Sequence, residues 1–120
     1  MDEGHWGDPA KCAHYPKSKI LAERAIWEIY NKQNLQHYHT EVVSVLPSLV
    51  LGPGLTVHKN SSETLLAEIL KGNFPGIPNP DIMYTVVDVR DAAIGHCYAL
   101  FKPNLNGQRI ALAAQKMNIS

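Results

Sequence analysis

Cysteine is scarce in this chain of 120 residues. There are two, Cys12 and Cys97, and neither lies in a CxxC pair. That usage fits a reducing compartment. Charge of one sign is also missing as a block: eleven basic and eleven acidic residues are interspersed, for a net charge of 0. Such a balance offers neither a nucleic-acid surface nor a polybasic membrane patch. Long hydrophobic runs are absent too. The longest, residues 42–51, is interrupted by Ser44, Pro47 and Ser48 and is far too short to span a bilayer. The opening "MDEGHWGDPAKC" is acidic and polar and does not read as a secretory signal. There is no internal repeat and no low-complexity tract. With 45% hydrophobic and 18% charged residues, the expectation is one globular domain over residues 1–120. Its expected location is cytoplasmic, with no nucleic-acid and no membrane partner.

What is present is a set of alternating helical and strand-like segments. From Tyr15, apolar residues recur at Ala22, Ile26, Ile29 and Tyr30, with Ala25 between, opposite Lys17, Arg24, Glu28 and Lys32. That spacing predicts an amphipathic helix fading by Asn34, with Pro16 tolerated in its first turn. "VVSVL" (42–46) is β-branched without helical period and suits a strand buried on both faces. "PSLVLGPG" follows as a structured loop. "SSETLLAEILKG" predicts a second helix, with Ser61 or Ser62 as N-cap and Gly72 as stop. "NFPGIPNP" reads as a loop and "YTVVDV" as a strand. Asp91 is the expected cap of a third helix reaching Leu100 or Phe101, and "NGQRIALAA" reads as a turn and a final strand. The order helix–strand–helix–strand–helix–strand points to an α/β layered fold.

Tyr15 and Lys19 are the candidate chemical pair. Positions i and i+4 of a helix share a face, with Cβ atoms roughly 6 Å apart. A phenol, with a reference pKa of about 10, does little proton transfer near neutrality unaided. A neighbouring ammonium stabilises the phenolate and yields a proton donor and acceptor for a carbonyl or alcohol. His37 and His39 form an HxH beside Glu41, but no complete metal-ligand set accompanies them. Cys12 and His14 near Tyr15 lack an Asn or Asp partner for thiol chemistry. His96, on an apolar helix, reads as a packed histidine.

The segments "DEGHWGDP", "YPKSKILAERAIW", "VLPSLVLGPGL", "VVDVRDAAIGHCYAL" and "NGQRIAL" occur in this order. Together they resemble the short-chain dehydrogenase/reductase superfamily, extended type. This is the NAD-dependent epimerase/dehydratase family, on its dihydroflavonol-reductase and cinnamoyl-CoA-reductase side. The second segment fits Y-x-x-S-K-x-x-A-E-x-x-x-W position by position, and the first looks like that group's acidic-Trp loop before the active-site helix. The resemblance implies an NAD(P)-dependent oxidoreductase that reduces a carbonyl or oxidises a secondary alcohol. Tyr15 would be its general acid/base, and Lys19 would assist Tyr15 and hydrogen-bond the nicotinamide ribose. Pro47, Ser48, Leu49 and Val50 would pass beside the nicotinamide ring. Ser18 belongs to the pattern without being a nucleophile. The cofactor would be NAD or NADP, and the substrate a small carbonyl or alcohol. Within the enzyme class, a sugar-nucleotide epimerase/dehydratase or a hydroxysteroid dehydrogenase is the alternative. Outside it, the alternative is a non-catalytic interaction or regulatory protein.

The departures are informative. A dinucleotide-binding fold opens with a strand, a GxGxxG-like turn and a helix. The eight glycines stand at 4, 7, 52, 54, 72, 76, 95 and 107 and form no such turn. The family's substrate-binding Ser or Thr lies well upstream of the tyrosine, and only fourteen residues precede Tyr15. The implied fold is therefore a partial Rossmann-like one, a doubly wound parallel sheet without its N-terminal dinucleotide-binding half. Alone, such a chain is expected to be inactive and open to self-association along an exposed sheet edge.

Overall fold

The computed structural model describes residues 3–33, 40–55, 61–73 and 84–117. Its elements are α1 (His14–Gln33), β1 (Ser44–Pro47), β2 (Leu49–Leu51), α2 (Ser61–Leu70), β3 (Tyr84–Asp88), α3 (Val89–Phe101), β4 (Arg109–Leu112) and β5 (Gln115–Met117). The strands form a two-stranded sheet, β1–β4, and a three-stranded one, β2–β3–β5. The chain divides into two compact units. One comprises Met1–Ser44 with Lys102–Ile110, the other Val45–Phe101 with Ala111–Ser120. The α/β class read from the sequence is the observed one.

In the first unit, α1 begins and ends within one residue of the expected bounds, but its covered face is a different one. Ile20, Glu23, Trp27 and Tyr30 are half-buried, at i, i+3, i+7 and i+10. Ile26 and Ile29, which anchor the expected inner stripe, are 51% and 66% exposed. The physical reason is a polar centre that the hydrophobic pattern does not register. Glu23 accepts hydrogen bonds from Arg109, Ser44 and Trp27, and these turn the Glu23–Trp27 side inward. The Trp27 and Tyr30 rings meet edge to face, with centroids 5.4 Å apart, a favoured aromatic geometry. Thr40 exchanges two hydrogen bonds with the Gln33 side chain. Val42 donates to Asn106 Oδ1 and accepts from the Gly107 amide.

In the second unit, β2 and β3 run parallel, Leu49 opposite Val86, Val50 opposite Val87 and Leu51 opposite Asp88. β5 lies antiparallel on the other edge of β3. The expected loop at 47–54 is thus partly strand: Pro47 closes β1, and residues 49–51 form β2. A proline fits there because it ends its strand rather than interrupting one. The expected strand over 42–46 begins only at Ser44 and is half-buried rather than buried on both faces. α2 packs on β2, and α3 on β3 and β2. α3 meets the sheet through small residues: Ala92 and Ala99, with Val87 of β3, are the buried apolar side chains among the described residues. Ile94, Tyr98 and Phe101 are exposed.

Both helix ends in this unit have local causes. The cap of α3 is Asp88, not Asp91: its Oδ1 accepts from the Arg90 amide at 2.8 Å, which is N-cap geometry. Asp91 sits in the first turn. α2 starts at Ser61 itself, and its C-terminus is a Schellman closure. The Asn73 amide reaches Glu68 O and the Gly72 amide reaches Ile69 O, both at 2.9 Å, with Gly72 at φ 78°. "NFPGIPNP" from Phe74 onward lies outside the described residues.

Candidate active site

Tyr15 is the second residue of α1 and 72% exposed. The helix brings Lys19 to it as the i, i+4 spacing requires: Lys19 Nζ stands over the Tyr15 ring, 5.4 Å from its centroid. Ser18 turns its hydroxyl back to donate to Tyr15 O at 2.7 Å, so its proton is committed to the backbone. Lys17, also exposed, projects to the other side of the helix. Tyr15 and Lys19 are therefore a neighbouring, solvent-facing phenol and ammonium.

Pro47, Ser48, Leu49 and Val50 belong to the second unit. Pro47 is exposed and the other three are half-buried. The Ser48 amide donates to Leu112 O at 3.0 Å, while its Oγ is buried without a hydrogen-bond partner among the described residues. An unsatisfied buried hydroxyl is uncommon enough to call for an explanation. Just beyond, a pocket of about 280 Å³ is lined by Val50, Leu51, Gly52, Ser62, Glu63 and Val89, among others. It opens at the carboxyl ends of the parallel strands β2 and β3, where open α/β sheets take ligands.

The residues fit a nicotinamide cofactor at one end only. Ser48 Oγ supplies a polar atom in want of a partner beside the strand end. The pyrophosphate end does not fit: Gly52, Pro53 and Gly54 open no helix, and the space a Cβ would take at Gly52 is filled by Val89. Among the described residues, no group of three or more His, Cys, Asp or Glu could hold a metal ion. His37 and His39 lie outside the described residues. His96 is exposed rather than packed, its Nδ1 2.7 Å from Ala92 O. No helix among the described residues is long and apolar enough to cross a membrane.

A cluster that the sequence reading did not single out lies in the first unit. Arg109 grips Glu23 with Nε on Oε1 at 2.9 Å and NH2 on Oε2 at 3.0 Å. Ser44 Oγ donates to the same Oε1 at 2.5 Å and Trp27 Nε1 at 3.3 Å. Burial raises the Glu23 carboxyl, but hydrogen bonds from Arg109, Ser44 and Trp27, with the Arg109 charge, hold it below its ordinary value. Glu23 and Arg109 both stand inside quoted motif segments. Nothing in the sequence joins two positions 86 residues apart.

A parallel strand pair with helices packed on it is part of a Rossmann-like α/β fold. Comparison with known proteins agrees. The chain is 35% identical over 108 residues to an uncharacterised oxidoreductase of Saccharomyces cerevisiae, covering 85% of this chain and 30% of that protein. It is 32% identical over 114 residues to cinnamoyl-CoA reductase 2 of Arabidopsis thaliana, covering 92% and 32%. A solved reductase, engineered to attenuate substrate inhibition in asymmetric catalysis, superimposes with a TM-score of 0.62 at 30% identity. That match covers 88% of this chain and 32% of that one. No family model matches the chain. The chain is thus a homologue of the reductases of the NAD-dependent epimerase/dehydratase family, and it spans about a third of their length.

Proposed function

We propose that this chain carries the proton-transfer residues of an NAD(P)-dependent carbonyl reductase, acting on a small carbonyl compound or the matching alcohol. The carrying observation is Lys19 Nζ over the Tyr15 ring at 5.4 Å, on the exposed first turns of α1. In the direction of reduction, Tyr15 donates its phenolic proton to the carbonyl oxygen as charge develops there. Lys19 stabilises the phenolate that remains and offers its other N–H groups to a ribose hydroxyl. The bound nicotinamide supplies the hydride. By the family resemblance, Pro47, Ser48, Leu49 and Val50 would offer that ring backbone groups and an apolar wall. NAD and NADP both fit this reading, as do a related epimerase/dehydratase or hydroxysteroid dehydrogenase, because proton transfer by a Tyr–Lys pair is common to them.

A chimera tests the proposal. This chain replaces the homologous third of the Arabidopsis cinnamoyl-CoA reductase, and hydride transfer from NADH and NADPH is measured with carbonyl substrates. Turnover is expected, and Tyr15→Phe is expected to remove it while the chimera still binds cofactor. A folded, cofactor-binding chimera whose turnover survives Tyr15→Phe contradicts the assigned role.

A further inference from the structure

We infer that Glu23 and Arg109 act as a latch that positions the loop of residues 3–7, and with it the entry to the Tyr15 helix. As a statement about catalysis, this rests on the Tyr15 reading above. Glu3, Gly4, His5 and Gly7 are exposed, and no strand or helix includes them. Yet three separate contacts fix the loop against one side of α1.

The first is Arg109. While its Nε and NH2 are engaged by Glu23, its NH1 donates to the carbonyls of Glu3 and His5. The guanidinium also lies over the Trp6 indole, 4.0 Å from the ring centroid, a close cation–π distance. One planar fork therefore meets the carboxylate of α1, two loop carbonyls and the loop's indole ring. An ammonium could not reproduce that set. The second contact is Arg24, whose guanidinium is 5.6 Å from the same ring and whose NH2 reaches Gly7 O at 3.4 Å. The third is steric. A Cβ at Gly7 would sit 2.8 Å from Ile20 Cδ1, so the loop backbone there lies directly against the end of the Ile20 side chain.

Ile20 and Arg24, with Arg109 held in place by Glu23, thus fix the loop from one residue beyond Lys19, on the neighbouring side of the same helix. Trp6 is engaged by two cations of its own chain. The Glu23–Arg109 pair is buried to 15% side-chain exposure on both partners, which shields it from solvent competition. Glu23 and Arg109 are in this sense positioning residues. They touch neither Tyr15 nor Lys19, and they set where the chain enters the helix that carries both.

The test reads the loop rather than turnover. In a Trp27→Phe background Trp6 is the only indole, and its accessibility is measured by acrylamide quenching, with helix content followed by circular dichroism. Arg109→Gln and Glu23→Gln are each expected to raise the quenching constant and shift the emission to the red while helix content is retained. Tyr15→Phe should leave both unchanged. If Arg109→Gln does not fold, Arg109→Lys decides, since it keeps the charge and loses the fork. Quenching unchanged in the folded variants overturns the latch, as does a response to Arg109→Gln without one to Glu23→Gln. Loss of helix together with the loop in Arg109→Lys and Glu23→Gln overturns it too, because the pair would then be general support. In the chimera, Arg109→Lys should lower kcat. An inactive chimera would count against the Tyr15 reading and leave the quenching result standing.

Discussion

Arg109 and Glu23, 86 residues apart in the chain, meet in two parallel hydrogen bonds of 2.9 and 3.0 Å. Removing one partner leaves the other's charge half-enclosed and without its counter-charge. Arg109→Gln should therefore destabilise the first unit by about 1–3 kcal/mol, measured by urea denaturation followed by circular dichroism. Wild-type stability after that change would show that the pair is replaceable by water.

The same pair carries a pH dependence with a definite sign. The folded Glu23 carboxyl lies below its ordinary value because hydrogen bonds from Arg109, Ser44 and Trp27, with the Arg109 charge, outweigh the opposing effect of burial. A depressed carboxyl contributes stability that is fully present above the unfolded value of 4.5. That contribution is lost as pH falls through the lower, folded value. Glu23→Gln should accordingly flatten the acid limb of the stability profile below about pH 4.5. A limb of unchanged slope in the variant would assign acid sensitivity to other carboxylates.

How much of this was legible in the sequence depends on range. Tyr15 and Lys19 are four residues apart, and a helix alone places them together. The second helix and its Gly72 stop followed from local chemistry as well. The inner face of α1 did not, because the hydrophobic stripe Ala22–Ile26–Ile29 suggested one side while the Glu23 network covers another. Asp88 was hidden as a cap because "YTVVDV" reads as strand to its end. β2 was hidden by the neighbouring Pro47 and Gly52, which read as loop punctuation although a three-residue strand fits between them. Trp6 and Arg109 each stood in a quoted motif, but only tertiary structure joins them.

The two lysines on the first turns of α1 separate geometry from charge. Lys19 lies over Tyr15, whereas position 17 is about 160° around the helix from Tyr15. In the chimera, Lys19→Ala should weaken cofactor binding and slow turnover, and Lys17→Ala should do little to either. Equal losses at both would mean that bulk positive charge is what matters.

Tyr15→Phe isolates the proton from the ring. With the ring 72% exposed, removing one hydroxyl should leave the fold and its melting curve unchanged. Turnover in the chimera should fall roughly 10²- to 10⁴-fold, the usual contribution of a positioned acid or base, with cofactor affinity maintained. A parallel loss of affinity would make Tyr15 a binding residue first.

Gly52 provides a test in the second unit, where β2 runs out beside the start of α3. Its φ is 153°, and a Cβ there would overlap Val89 Cγ1 and lie 3.1 Å from Val89 Cβ. Gly52→Ala therefore combines an unfavourable backbone angle with overpacking and should cost about 1–3 kcal/mol. Steric conflict and backbone strain can be told apart with Val89→Ala, which removes the overlapping methyl but keeps the Cβ. If the methyl is the main obstacle, Gly52→Ala costs less in the Val89→Ala background than in the wild type, and a double-mutant cycle returns that difference as a coupling energy. If the costs simply add, the backbone angle carries the penalty. Both residues lie in the second unit, so the same two variants should leave Trp6 quenching unchanged. A change at Trp6 would instead mean that Gly52 supports the whole chain.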